Sequence, residues 1–227
     1  MIFRQLFDPE SSTYSYLLGN AASGQAIIVD PVREQATRDL TLLGELRLRL
    51  TYILETHVHA DHVTGAMALR AQTGASSAVS RHCGASGFDW LLEDGDQIKF
   101  GEEVVHAIAT PGHTPGSTCY LWRDRLLTGD TLLIAGCGRT DFQLGDAGTL
   151  YDSITQRLFT LPDDTLVYPG HDYQGRWVST IGEEKRTNPR FVNVSRAQFI
   201  EIMSHLDLPL PKKIAEAVPA NLQGGVP

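Results

Sequence analysis

The sequence predicts an α/β protein built as a four-layer αββα sandwich, in which two β-sheets lie face to face and helices cover their outer faces. Short apolar segments of strand character precede segments of helical spacing in both halves of the chain. Candidate metal ligands follow directly after strand segments, where a rigid sheet edge can present side chains without burying them. The 227 residues are interpreted as one domain over residues 1–227, with a C-terminal helix and an extended tail.

The first half begins with a predicted antiparallel strand pair. Residues 14–18 and 26–29 are short and apolar, and turn-forming Gly, Asn and Ser residues separate them. Residues 34–49 carry leucines at helical spacing and predict a helix. Residues 52–54 then predict a strand, and residues 61–71 predict a second helix.

The second half shows strand and turn signals from residue 76 to residue 122. Ser195 is expected to open a helix, because Gln198 completes a capping box. From Leu208 onward Pro and Gly dominate, so the tail is expected to be extended over the surface. The other predicted elements are a strand over 125–128, a helix over 149–159, a strand over 165–168 and a helix over 178–186.

Composition excludes several classes of protein. A formal net charge of -8 at pH 7 disfavours a nucleic-acid partner on electrostatic grounds. Three cysteines without regular spacing do not predict a disulfide framework and fit a reducing compartment. No signal-peptide pattern and no apolar run of membrane-spanning length is found, so a cytoplasmic protein with no membrane association is expected.

The run from Thr56 to His62, THVHADH, is the strongest chemical signal in the chain. It places three imidazoles and one carboxylate in six residues, and imidazole with carboxylate suits Zn, Fe, Mn and related ions. His113, Asp130 and His171 follow as further candidate ligands, each after a predicted strand. Together they predict a metal site. A structural role is expected for His82, His106 and His205.

The order His-x-His-x-Asp-His, Pro-Gly-His, Thr-Gly-Asp, Pro-Gly-His resembles the metallo-β-lactamase fold superfamily, whose signature specifies fold and metal better than reaction. More specific segments resemble the persulfide dioxygenase (ETHE1-like) family, and this resemblance covers nearly the whole chain. These segments are residues 56–65, 136–143, 168–173, 183–190 and 218–221.

The resemblance implies one non-haem Fe(II) ion per chain, held by His57, His113 and Asp130 as the metal ligands and catalytic centre. Two imidazoles and one carboxylate on one face form the facial triad of Fe(II) oxygenases. The remaining residues of the pattern would orient these ligands through hydrogen bonds. They are His59, Asp61, His62 and His171.

The resemblance also implies oxidation of glutathione persulfide with O2 to sulfite and glutathione, as in sulfide detoxification. Residues in the family-like segments supply cations, an anion and a hydroxyl for the substrate: Arg139, Asp141, Tyr173 and Arg190. A bidentate arginine can grip a carboxylate. Arg139 and Asp141 can instead pair with each other, and Arg190 can cap a helix end.

Three alternatives stay open. A dinuclear centre would use Asp130 as a bridge, with Asp61, His62 and His171 on the second ion. Such a centre fits a thioester hydrolase of the glyoxalase II type, in which metal-bound hydroxide attacks a glutathione thioester. A non-enzymatic metal or redox scaffold is the third. A homodimer and a separate sulfurtransferase partner are compatible with the sequence.

Overall fold

The computed structural model describes residues 1–226, and within that range it has fourteen strands and six α-helices. The strands are β1 (Ile2–Asp8), β2 (Thr13–Asn20), β3 (Gln25–Val29), β4 (Arg49–Leu54), β5 (Ser76–Ser80), β6 (Trp90–Leu92), β7 (Gln97–Phe100), β8 (Glu103–Ala109), β9 (Thr118–Trp122), β10 (Arg125–Gly129), β11 (Leu132–Leu133), β12 (Gly136–Cys137), β13 (Leu166–Pro169) and β14 (Ser179–Thr180). The helices are α1 (Ala36–Glu45), α2 (Ala66–Thr73), α3 (Ala147–Gln156), α4 (Ile181–Thr187), α5 (Arg196–Ser204) and α6 (Ile214–Asn221).

The first sheet has the strand order β1-β2-β3-β4-β5-β6. Its first three strands are antiparallel, and β3 to β6 run parallel. Helix α1 connects β3 to β4, and α2 connects β4 to β5. Because parallel neighbours need a crossover, these two helices are placed against one face of the sheet.

The second sheet has the order β14-β13-β10-β9-β8-β7, and within it only β10 and β13 pair in parallel among the described strands. Strands β11 and β12 form a separate short hairpin after β10. The two sheets meet where the Tyr14 N–H donates to the Gly170 carbonyl oxygen at 2.8 Å. This contact brings the end of β13 next to the start of β2.

Three buried layers confirm the αββα sandwich. Between the sheets, Tyr16 and Leu54 from the first sheet pack with Trp122 from the second. Leu43 of α1 and Leu69 of α2 cover the outer face of the first sheet. Helices α3 and α5 cover the outer face of the second sheet with residues such as Ile154 and Phe199. Burial of each large apolar side chain contributes roughly 1.5–3 kcal/mol.

The observed elements differ from the predicted ones at particular positions. The helix expected over residues 61–71 begins only at Ala66, so Asp61 and His62 lie in a loop. Thr64 explains this, because its Oγ1 accepts the Ala66 N–H and ends the loop there. Strand β1 was not among the predicted elements.

The expectation of an extended tail is wrong for α6. Helix α6 forms despite Pro219, because Ala217 and Ala220 on one face pack against Val63. Tertiary packing overrides the low helix propensity of proline here. Within residues 1–226, no helix has both the length and the apolar character needed to cross a lipid bilayer.

Candidate metal centre

Strand ends of both sheets bring three candidate ligands to one point. His57 follows β4 of the first sheet, whereas His113 follows β8 and Asp130 follows β10 of the second. One ligand atom of each residue lies within 4.8 Å of those of the other two. The face-to-face packing of the two sheets therefore brings together three residues that are far apart in the sequence.

A hydrogen-bond chain orients His57. The Thr56 hydroxyl donates to Asp30 Oδ2 at 2.8 Å and lies 3.0 Å from His57 Nδ1. Because the hydroxyl proton is given to Asp30, Thr56 Oγ1 accepts from Nδ1–H, and the Nε2 lone pair is left for a metal. Burial and the neighbouring imidazoles lower the pKa of His57 well below its usual range, so the ring is neutral.

His113 and Asp130 complete the group. His113 Nδ1–H donates to the Arg139 carbonyl oxygen at 2.7 Å, which again leaves Nε2 free, 3.7 Å from Asp130 Oδ2. Asp130 Oδ1 is buried without a hydrogen-bond partner among residues 1–226. An unpaired buried carboxylate oxygen is costly, so these donors fit a cation bound between them.

His59 points elsewhere. Its Nε2 lies 3.0 Å from Asp30 Oδ1 and 3.5 Å from Glu55 Oε2, and all three side chains are buried. Burial acts to lower the pKa of His59, but the attraction of Asp30 and the other carboxylates outweighs it and raises that pKa to about 10. His59 therefore lies beside the triad without joining it.

Asp61, His62 and His171 surround the other side of the centre. Asp61 Oδ2 accepts from the Thr13 hydroxyl and contacts His62 Nδ1, each at 2.9 Å. His171 Nδ1–H donates to the Ser12 carbonyl oxygen, and its Nε2 lies 3.6 Å from Asp130 Oδ1. Together His59, Asp61 and His62 form a second group whose ligand atoms lie within 4.8 Å of one another.

A cavity of about 380 Å³ opens over the triad. Arg139, Phe142 and Tyr173 line it, together with residues 208–212, which we call the strap. Tyr173 is 77% exposed, and its ring stacks parallel to the His171 ring with a centroid distance of 6.1 Å. The mouth of the site is therefore aromatic and apolar, whereas its floor is formed by imidazoles and carboxylates.

Arg139 and Asp141 pair with each other, which is the alternative that the sequence left open. Arg139 Nε and one terminal nitrogen donate to the two Asp141 oxygens at 2.7 and 2.6 Å. The same guanidinium donates to the carbonyl oxygens of Leu208 and Pro209 at 3.0 and 2.6 Å, and it lies over the Phe142 ring. Arg139 thus holds the strap in place.

Two predicted substrate contacts, Asp141 and Arg190, are not among the described residues that line the cavity, and their roles stay predictions. Asp141 is turned toward Arg139. Arg190 belongs to the turn after α4, where its N–H donates to Asn188 Oδ1 at 3.0 Å. Asp141 and Arg190 lie within the family-like segments, but this position in the sequence does not determine where their side chains point.

Several functional contacts were not predicted. Asp30 contacts both Thr56 and His59, and Lys212 lines the cavity. Asn221 hydrogen-bonds to the backbone of the histidine-rich loop. The only sequence signal for Asp30 was its place directly after a strand. For Cys137, desolvation raises the pKa of the thiol to about 12, which disfavours the reactive thiolate form.

Comparison with known proteins identifies relatives of this chain. A family model described as the metallo-beta-lactamase superfamily matches residues 8–171. "Persulfide dioxygenase ETHE1, mitochondrial" of Homo sapiens is 50% identical over 229 residues, covering 100% of this chain and 89% of that protein. The crystal structure of ETHE1 from Myxococcus xanthus is 56% identical and superposes with a TM-score of 0.97, covering 99% of this chain and 100% of that one.

A more distant structural neighbour was solved with bound metal. The protein TTHA1623, solved in a di-iron-bound form, is 25% identical with a TM-score of 0.69, covering 83% of this chain and 99% of that one. Its similarity in fold is therefore clear, but its sequence similarity is much weaker than that of the ETHE1 proteins. The chain belongs to the metallo-beta-lactamase superfamily and, within it, to the persulfide dioxygenase family.

Proposed function

We propose that this enzyme holds one Fe(II) ion on His57, His113 and Asp130 and oxidises glutathione persulfide with O2. The products are glutathione and sulfite, and water supplies the third sulfite oxygen. The observation that carries the proposal is the convergence of two free imidazole nitrogens and one unpartnered carboxylate oxygen, seen within the described residues. When bound to such a triad, iron supplies redox chemistry and open positions for sulfur and dioxygen.

The side chains around the triad bind and shield the substrate in this proposal. Although Tyr173 is largely exposed, desolvation of its hydroxyl beside the cavity and the nearby Asp130 and Asp61 carboxylates raise its pKa to about 12. The hydroxyl therefore stays protonated and can donate to an anionic sulfur or a carboxylate. Phe142, Leu208 and Leu210 form apolar walls that pack on the peptide and exclude water. Asp30, acting through Thr56, keeps His57 in the tautomer that offers Nε2.

One observation favours a competing function. His59 Nδ1 and His62 Nε2 are buried without hydrogen-bond partners in the described part of the chain, so a second ion could bind near Asp61. Two ions would suit hydrolysis of a glutathione thioester by metal-bound hydroxide. Persulfide oxidation is preferred because the persulfide dioxygenases match the chain over its full length at about 50% identity, whereas the di-iron-bound neighbour is only 25% identical.

Metal content and substrate preference distinguish the two functions. The purified protein is expected to contain about one iron per chain, as a single facial triad requires. Glutathione persulfide should cause rapid oxygen consumption and sulfite release, whereas S-lactoylglutathione should be inert. Two tightly bound ions together with faster thioester hydrolysis would reverse the assignment.

The cellular setting is part of the same proposal. We keep a cytoplasmic location as a prediction, although the mammalian relatives are named as mitochondrial proteins. A separate sulfurtransferase would supply the persulfide. The chain is also expected to form a homodimer, which analytical sedimentation at micromolar protein concentration would detect. Cell fractionation with an antibody to the chain tests the location directly.

A further inference from the structure

We infer that Lys212 binds a carboxylate of the peptide that carries the persulfide, and that the neighbouring Arg139 instead fixes the strap. This inference rests on the proposed function and assigns a substrate contact within the same site. Lys212 and Arg139 are the two permanent cations among the described residues that line the cavity. Glutathione carries two carboxylates, so a cavity for it needs at least one cation that is available for pairing.

Arg139 is not available for this role. Its hydrogen bonds go to both oxygens of Asp141 and to two strap carbonyls, and the Asp141 carboxylate neutralises its charge. The Arg139 side chain is only 13% exposed, so little of the guanidinium is open to the cavity. A second carboxylate would have to displace Asp141 or the strap.

Lys212, in contrast to Arg139, has a charge that is available for pairing with the substrate. It is exposed, and no ion pair or hydrogen bond of its ammonium is found among residues 1–226. Lys213 provides an internal contrast, because its Nζ lies 2.8 Å from Glu10 and 3.8 Å from Glu34, away from the cavity lining. Of these two adjacent lysines, only Lys212 presents an uncompensated charge to the site.

The strap is built to hold Lys212 at the cavity edge. Pro209 and Pro211 have fixed φ angles, which limits the conformations of the segment that precedes Lys212. Neither proline has a backbone N–H, so the strap offers no amide donor at these two positions to a bound anion. Leu208 and Leu210 are 50% and 58% exposed and can pack on the peptide while the ammonium pairs with its carboxylate.

The test compares Lys212→Met with Lys213→Met, which removes the same charge one residue away and outside the cavity. Glutathione binding to the metal-free protein is measured by calorimetry, and KM for glutathione persulfide is measured with the iron-loaded enzyme. Lys212→Arg serves as the conservative rescue, and thermal unfolding verifies that each variant is folded. The glutathione monoethyl ester, which lacks the glycine carboxylate, is measured in parallel.

Lys212→Met should weaken glutathione binding and raise KM by about three- to fivefold, the size expected for a partly exposed ion pair, with little change in kcat. Lys213→Met should bind like the wild type, Lys212→Arg should restore binding, and added salt should remove the difference. If the lysine pairs with the glycine carboxylate, the ester should bind both proteins alike; if only the γ-glutamyl carboxylate is used, the loss should persist with the ester.

Equal affinities of the wild type and Lys212→Met for glutathione, or an equal loss in Lys213→Met, would overturn the inference. These outcomes differ from a failure of the proposed function. A wild-type protein that binds glutathione through Lys212 but consumes no oxygen with its persulfide would refute the dioxygenase assignment alone.

Discussion

At the scale of single residues, Asp130 is the carboxylate on which the proposed centre depends. Its Oδ1 is buried without a hydrogen-bond partner in the described chain, and Oδ2 faces His113 Nε2. Asp130→Asn keeps the shape but removes the negative charge, so iron content should fall below about one tenth of the wild-type value and oxygen consumption should disappear. Elemental analysis after anaerobic reconstitution measures the first effect.

His171→Ala is the matched comparison for Asp130→Asn. His171 Nε2 also faces Asp130, at 3.6 Å from Oδ1, but His171 is outside the proposed triad. The variant should therefore keep substantial iron while losing part of its activity. Complete loss of iron from His171→Ala would show that the metal is held by a different set of ligands.

At the scale of secondary-structure elements, the β11–β12 hairpin and the residue after it support two ligands. A Cβ atom on Gly138 would lie 2.1 Å from the Asp130 carbonyl oxygen and 2.9 Å from His113 Nδ1. Gly138→Ala must therefore displace one of these residues. We expect loss of most bound iron and a stability decrease of roughly 1–3 kcal/mol from this overpacking, measured by metal analysis and urea unfolding.

Gly136 in the same hairpin provides the control. The nearest contact of a Cβ atom there, apart from adjacent residues, would be Leu133 Cβ at 3.9 Å. Gly136→Ala should therefore bind iron and unfold like the wild type. A normal iron content in Gly138→Ala would mean that the hairpin can shift without disturbing His113 or Asp130.

Some structural elements could be predicted from the sequence and others could not. The capping box at Ser195 and the strand ends before His57 and His113 were predicted, because they depend on local patterns. Helix α6 and the pairing of Arg139 with the strap were not predicted, because each depends on a partner far away in the chain. Local periodicity contains no information about which distant surface will cover an element.

At the scale of the whole molecule, the last helix closes on the histidine-rich loop. Asn221 is 3% exposed; its Oδ1 accepts the Thr64 N–H at 2.9 Å, and its Nδ2 donates to the carbonyl oxygens of His59 and His62 at 2.9 and 2.8 Å. The C-terminal segment therefore fixes the backbone of a loop that begins beside His57. This contact links the stability of the chain to the geometry of the metal site.

Asn221→Ala should lower the free energy of unfolding by roughly 2–4 kcal/mol, because one buried N–H and two carbonyl groups lose their partner. The loosened loop should also release iron to a chelator faster than the wild type does, since positioning of the ligands contributes to metal affinity. Glu216→Ala on the exposed face of the same helix removes only a surface ion pair with Arg33 and is expected to change neither property appreciably. Urea unfolding and stopped-flow chelation measure the two effects. If Asn221→Ala is destabilised but releases iron at the wild-type rate, the helix supports the fold alone and the metal loop holds its shape without it.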